Sequence, residues 1–266
     1  MKLLTKLIMV LLMLSDIQLA IANGSFITLA SANEVLLFLK KLPKDSIIFV
    51  DVDDTIITPV SKTFRKEPYN KLIDEIKKER SKYENYEEII SNWRLQRKVM
   101  LVDQDWPDTL LRLKIKYKVY GLTKMDHGKF GNISSMEKWR YEELKSLNIE
   151  FSNNELIPPS VDDSAFFKGI FFAGSNTKSE TLLYYLKYLN ASTYVMIDDR
   201  PEHLEDIRKF CENNSIKFIG ILYKGMDRFT DSPDPDVALF QKKYLIQNAQ
   251  WIEDDEAKEL AAKSSH

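Results

Sequence analysis

A chain of 266 residues with 38 Lys and Arg against 40 Asp and Glu has a net charge of −2, which excludes capture of nucleic acid or an anionic membrane by bulk electrostatics. At 44% hydrophobic residues, with 8 Gly and 9 Pro, it is neither low-complexity nor fibrous, and its length suits one large domain or a core domain with an insertion. Its one cysteine, Cys211, excludes an intrachain disulfide and reads as a small buried apolar residue.

In chain order, residues 1–22 come first. Lys2 and Lys6 precede an apolar run from Leu7 to Leu14, and Ala20-Ile21-Ala22 places small residues at a cleavage site. The pattern predicts a secretory signal peptide cleaved near Ala22, and so an exported protein, periplasmic or secreted. Asp16 interrupts the pattern and leaves an uncleaved anchor as the alternative, the one route by which a membrane enters the reading. "EVLLFLKKL" (34–42) has helical periodicity, with Ser31 or Asn33 as its cap. "SIIFVDV" is a continuous apolar run, the mark of a strand buried on both faces.

From 66 to 102 the chain turns Lys- and Glu-rich with aromatic punctuation, which predicts two or three inserted helices. "DQDWPDTLLRLKIK" restarts a helix, and "YKVYGLT" (117–123) is a second strand. "SSMEKWRYEELKSL" is a helix capped by Ser134 or Ser135, and "FFKGIFFAG" (166–174) is strand-like. Lys178 opens the helix "SETLLYYLKYLN", "STYVMIDD" (192–199) is a strand, "PEHLEDIRKFCENN" a helix and "IKFIGILY" a last strand. A helix near 236–247 and an acidic amphipathic stretch from Trp251 close the chain. Strands alternating with helices predict an α/β fold, a doubly wound parallel sheet with helices on both faces.

In such sheets ligands bind beyond the carboxyl ends of the strands. That is where this sequence concentrates its polar exceptions. Asp51 and Asp53 follow one strand, Thr123 ends another, Asp198 and Asp199 end a third, and Lys178 begins the intervening helix. Carboxylates that converge need a cation, and hard oxygen ligands suit Mg²⁺. Each residue also has a plain structural reading. Asp53 or Asp54 can cap a turn, Thr123 can be a β-branched strand end, Lys178 a solvated lysine, and Asp198 or Asp199 the cap of the helix at Pro201. Asp54 is read as structural, and His127 and His203 are too isolated to be ligands.

"DVDDT", Thr123, Lys178 and "IDD" resemble, in order and context, the four motifs of the haloacid dehalogenase (HAD) superfamily. The likeness runs from Ile47 to about Tyr223, and "SNTKSETLLYYLKYL" with "VMIDDRPEHLEDI" is most similar to an exported bacterial branch. It implies a Mg²⁺-dependent phosphatase in which Asp51 is the nucleophile that forms an aspartyl-phosphate. Asp53 would be general acid and base, Thr123 and Lys178 would hold the phosphoryl group, and the cation would be bound by Asp51, the backbone carbonyl of Asp53, Asp198 and, through water or by orienting Lys178, Asp199. An acid at position 53 favours phosphatases over dehalogenases and ion pumps of that superfamily. The implied organisation is a HAD-like Rossmannoid core over 23–55 and 113–232, a helical cap over 56–112 inserted after the first strand, and a C-terminal tail over 233–266.

The chain departs from the pattern in one place: Lys124 follows Thr123 where relatives carry a small residue and an arginine. Within the insertion, Trp93, Arg94 and Arg97 are candidate substrate ligands, or else a solvated helix face. The partner so implied is a small phosphorylated substrate. A non-catalytic envelope binding protein on the same fold, and a response-regulator-like phosphoacceptor, are the alternatives.

Overall fold

In a computed structural model that describes residues 26–65 and 68–264, ten strands and nine α-helices are arranged about one large sheet. They are β1 (Ile27–Leu29), α1 (Ala32–Leu39), β2 (Ser46–Val50), β3 (Ile57–Pro59), α2 (Leu72–Lys78), α3 (Tyr86–Gln96), β4 (Val99–Leu101), α4 (Trp106–Lys114), β5 (Lys118–Thr123) and α5 (Met136–Ser146). Then follow β6 (Ser160–Val161), β7 (Ser164–Phe167), β8 (Ile170–Phe172), α6 (Lys178–Tyr185), β9 (Thr193–Asp198), α7 (Pro201–Asn213), β10 (Lys217–Tyr223), α8 (Pro235–Asn248) and α9 (Asp254–Ser264). The expected signal segment lies outside the described residues. Among those residues no helix is long and apolar enough to cross a membrane.

The main sheet has the order β1-β10-β9-β2-β5-β8-β7-β6, parallel from β1 to β8 and antiparallel at the β8-β7-β6 edge. Both faces of β2 are covered, and its residues alternate accordingly. Ile48 and Val50 join the cluster under α1, α4 and α5, whereas Ile47 and Phe49 join the one under α6 and α7. This is why the strand reads as an unbroken apolar run. Helix starts follow their sequence caps: Ser31 with Glu34 and Thr177 with Glu180 form capping boxes, and Ser135 caps α5.

Four features differ from the sequence expectation. "FFKGIFF" is two strands, not one: Lys168 and Gly169 both take positive φ, 48° and 86°, and turn β7 into β8 as a two-residue hairpin. β1 adds an edge strand beside β10 that only three residues encode. The insertion is not purely helical, because β3 and β4 pair antiparallel and close its stem. Its helices bury Leu72, Ile76, Ile89 and Trp93 against Leu245 and Trp251, so the insertion and the C-terminal tail share a core. Lastly, Trp106, Leu110 and Leu113 of α4 belong to the cluster beneath the sheet. The boundary expected at 112–113 therefore falls inside a helix of the core layer.

Candidate active site

The chain leaves β2 toward β5 on one side and returns to β9 on the other, so β2 and β9 flank a topological switch point. Val50 pairs with Ile197, and the Asp51 amide donates to the Ile197 carbonyl at 2.8 Å. One residue further along this register sets Asp51 beside Asp198. Lys178 is the first residue of α6, and its side chain is 0% exposed. Its ammonium lies 2.5 Å from Asp51 Oδ1 and 2.6 Å from Asp198 Oδ2. A buried cation costs several kcal/mol unless paired, and here two carboxylates pair it. Burial works against the charge, but Asp51 and Asp198 outweigh it and raise the lysine's pKa.

Asp199 completes the group. Asp51, Asp198 and Asp199 each present a carboxylate oxygen, and these oxygens lie within 4.8 Å of one another, an arrangement able to hold a metal ion. The electrostatics agree with that chemistry. Burial, then the charges of Asp51, Asp198 and Asp54, push the Asp199 carboxyl up to about 8. Burial likewise raises Asp51 to about 7, with Asp198 adding to the effect and Lys178 opposing it. Asp198 is also buried, but Lys178 and His203 bring it down to about 2. One ammonium thus stands against three carboxylates. The donor set is all hard oxygen, and a divalent ion fits the charge excess.

Asp53 goes elsewhere. The Val52 carbonyl accepts from the amides of Ile56 and Ile57, Asp54 turns left-handed at φ 60°, and its carboxylate accepts from the Thr58 hydroxyl at 2.9 Å. The Asp54 carboxylate thus helps close the turn. The turn aims Asp53 at Arg140 of α5, which grips both its carboxylate oxygens at 2.9 and 3.1 Å. Desolvation of its bound end would raise the Asp53 pKa, but Arg140 and Arg97 overcome it and hold the carboxyl below its ordinary value. A group held ionised this way is a base; it becomes an acid only when released.

Thr123 sits at the carboxyl end of β5, next to β2, and is buried. Its hydroxyl accepts from the Met125 amide at 3.3 Å and keeps its own proton to donate. Lys124 donates to the Asn176 carbonyl. Arg94 and Trp93 are buried, and the Arg97 side chain is 4% exposed, so this stretch of α3 is not a solvated face. Three partners were not expected. His203 Nδ1 lies 3.1 and 3.2 Å from the Asp198 oxygens, Thr55 donates to Asp51 Oδ2 at 3.4 Å, and Arg140 holds Asp53. The signal for His203 was its place in the first turn of α7, five residues beyond Asp198.

No solved structure matches this chain. An uncharacterised protein of Rickettsia prowazekii (strain Madrid E), RP296, is 29% identical to it over 238 residues, 85% of this chain and 86% of that protein. Residues 28–258 match the family model described as "Protein of unknown function (DUF2608)", and the chain belongs to that family.

Proposed function

We propose that this protein is an exported, Mg²⁺-dependent phosphatase of the HAD type, with residues 1–22 as its signal peptide and the inserted segment as its cap. One observation carries the reading: a fully buried ammonium bridges Asp51 and Asp198, with Asp199 in ligand reach, at the switch point of a parallel sheet. Asp51 attacks phosphorus as the bond to the leaving oxygen breaks, and that oxygen keeps the electron pair and takes a proton from Asp53. Water then attacks the aspartyl-phosphate, its proton returns to Asp53, and orthophosphate leaves Asp51 restored. Lys178 offsets the charge of the nucleophile and of the phosphoryl oxygens, and Thr123 donates to one of those oxygens. Mg²⁺ held by Asp51, Asp198, Asp199 and the Asp53 backbone carbonyl supplies further neutralisation of the phosphoryl group when bound.

The test of the cradle is ligand-linked stability. Folded Asp51 and Asp199 hold protons more tightly than unfolded carboxyls, which titrate near 3.8. The metal-free protein therefore loses stability as pH rises from about 4 to about 8, and a cation competes with those protons. Mg²⁺ is expected to raise Tm little at about pH 5 and most at about pH 8, with beryllium fluoride adding to it. A shift that is absent, or that is unchanged in Asp51→Asn, refutes the cradle.

The clamp on Asp53 favours a second reading, a phosphate-binding protein of this fold without turnover. Substitution of Asp53 discriminates. If it is the general acid, Asp53→Asn lowers kcat/KM, which ends at the phosphoryl-transfer step, about 10²–10⁴-fold on alkyl phosphates and much less on nitrophenyl phosphate, whose leaving group needs no proton. Equal losses on both esters remove Asp53 from acid catalysis, and no hydrolysis by either protein supports the second reading.

A further inference from the structure

Beside Asp53 lies a cluster of cations that hydrolysis of a simple phosphate ester does not use. Arg97, at the end of α3 in the insertion, and Arg140 of α5 share Glu143 at 3.3 and 2.7 Å. Both guanidinium groups are buried, 4% and 3% exposed, and Glu143 is nearly so. Two cations with one acid leave a buried positive charge that needs an anion. The anion that answers it is Asp53, which is 46% exposed. It holds Arg140 closely, but Arg97 Nη2 stands 3.9 Å away, beyond hydrogen-bond reach.

Two buried donors in the same stack have no acceptor among the described residues: Arg97 Nε and the indole Nε1 of Trp93. Arg97 lies over the Trp93 ring at 4.5 Å, and a second indole, Trp139, flanks it at 5.6 Å. The stacking fixes the plane of the guanidinium, which is what bidentate recognition of a planar anion demands. Buried donors are ordinarily paired, so an unpaired couple beside an underused fork marks a place for an acceptor. Asp53, which Arg140 clamps, lies two residues beyond Asp51, so the cluster borders the nucleophile.

We propose that Arg97 and Arg140 form a subsite for a carboxylate on the leaving group of the phosphorylated substrate, which takes the place that the Asp53 carboxylate occupies on the fork. The proposal rests on the phosphatase reading and gives it a substrate class: phosphate esters of hydroxy acids.

The experiment compares carboxyphenyl phosphates, in ortho, meta and para forms, with the matching carbamoylphenyl phosphates at saturating Mg²⁺. For at least one isomer, wild-type kcat/KM is expected to favour the carboxylate about 10- to 100-fold, the range of a charge-assisted pair. Arg97→Met should bring the ratio toward unity, and Arg97→Lys, which keeps the charge but loses the fork, should fall between. No preference in any isomer, or a preference that persists in Arg97→Met, overturns the subsite while the phosphatase reading stands. If the wild type hydrolyses none of the esters, the phosphatase reading fails, and the subsite is decided by calorimetry with the corresponding carboxy- and carbamoylphenylphosphonates. Tighter carboxylate binding that disappears in Arg97→Met retains it; equal binding, or none, overturns it.

Discussion

Asp51→Asn is expected to abolish Mg²⁺-dependent hydrolysis of nitrophenyl phosphate, a loss on the order of 10⁴-fold or more, because an amide cannot form the acyl-phosphate bond. The measurement is nitrophenolate release by wild type and variant purified in parallel. Stability should move the other way. Asp51 is one of three carboxylates around a single ammonium and its pKa is raised to about 7. A neutral isostere relieves repulsion, so the metal-free variant should melt no lower than wild type at about pH 8, where the charge excess is greatest. Loss of activity with retained or increased Tm separates a chemical role from a structural one. Equal hydrolysis by the two proteins would eliminate Asp51 as nucleophile and with it the proposed reaction.

How legible this site was in the sequence depended on whether a residue advertised itself against its local pattern. Asp51 and Asp198 end continuous apolar runs, and parallel strands deliver their carboxyl ends to one edge, so period and polarity alone bring them together. Lys178 sits where the helix dipole disfavours a cation, which is itself a sign of a nearby anion. Arg140 carried a fainter signal. Met136 and Leu144 are spaced four residues to either side of it on the buried stripe of α5, so an arginine occupies a position where the stripe calls for an apolar residue. Nothing local says which carboxylate it meets, because the Asp53 partner is 87 residues away in the chain. The β3–β4 stem and the shared core of insertion and tail were illegible for the same reason. Three-residue strands have no period to detect, and contacts between Trp93, Leu245 and Trp251 depend on tertiary distance alone.

Lys178→Met carries the largest expected effect on stability. Among the described residues the ammonium is the only cation within hydrogen-bond reach of Asp51, and it also neutralises Asp198 on the neighbouring strand. Methionine fills much of the same volume, so packing changes little and the cost is electrostatic: two buried carboxylates lose the ammonium between them, with His203 left beside Asp198. Removing one member of a buried ion pair typically destabilises by about 3–5 kcal/mol. The sign with pH follows from the same charges. Without Lys178 the folded state binds a proton on Asp51 more tightly still, and Asp198 loses the charge that helps hold it at about 2, while the unfolded carboxyls titrate near 3.8 as before. The penalty therefore grows as pH rises above about 4 and shrinks as the carboxyls protonate, the reverse of a defect in packing, which would not change with pH. Denaturant unfolding of Lys178→Met and wild type at about pH 5 and about pH 8 measures it. Adding Asp51→Asn to the variant should recover part of the loss, because the second change removes one of the two uncompensated charges and the sites are in contact. A pH-independent cost, or no recovery in the double variant, would mean that Lys178 is held by packing and that the carboxylates do not depend on it.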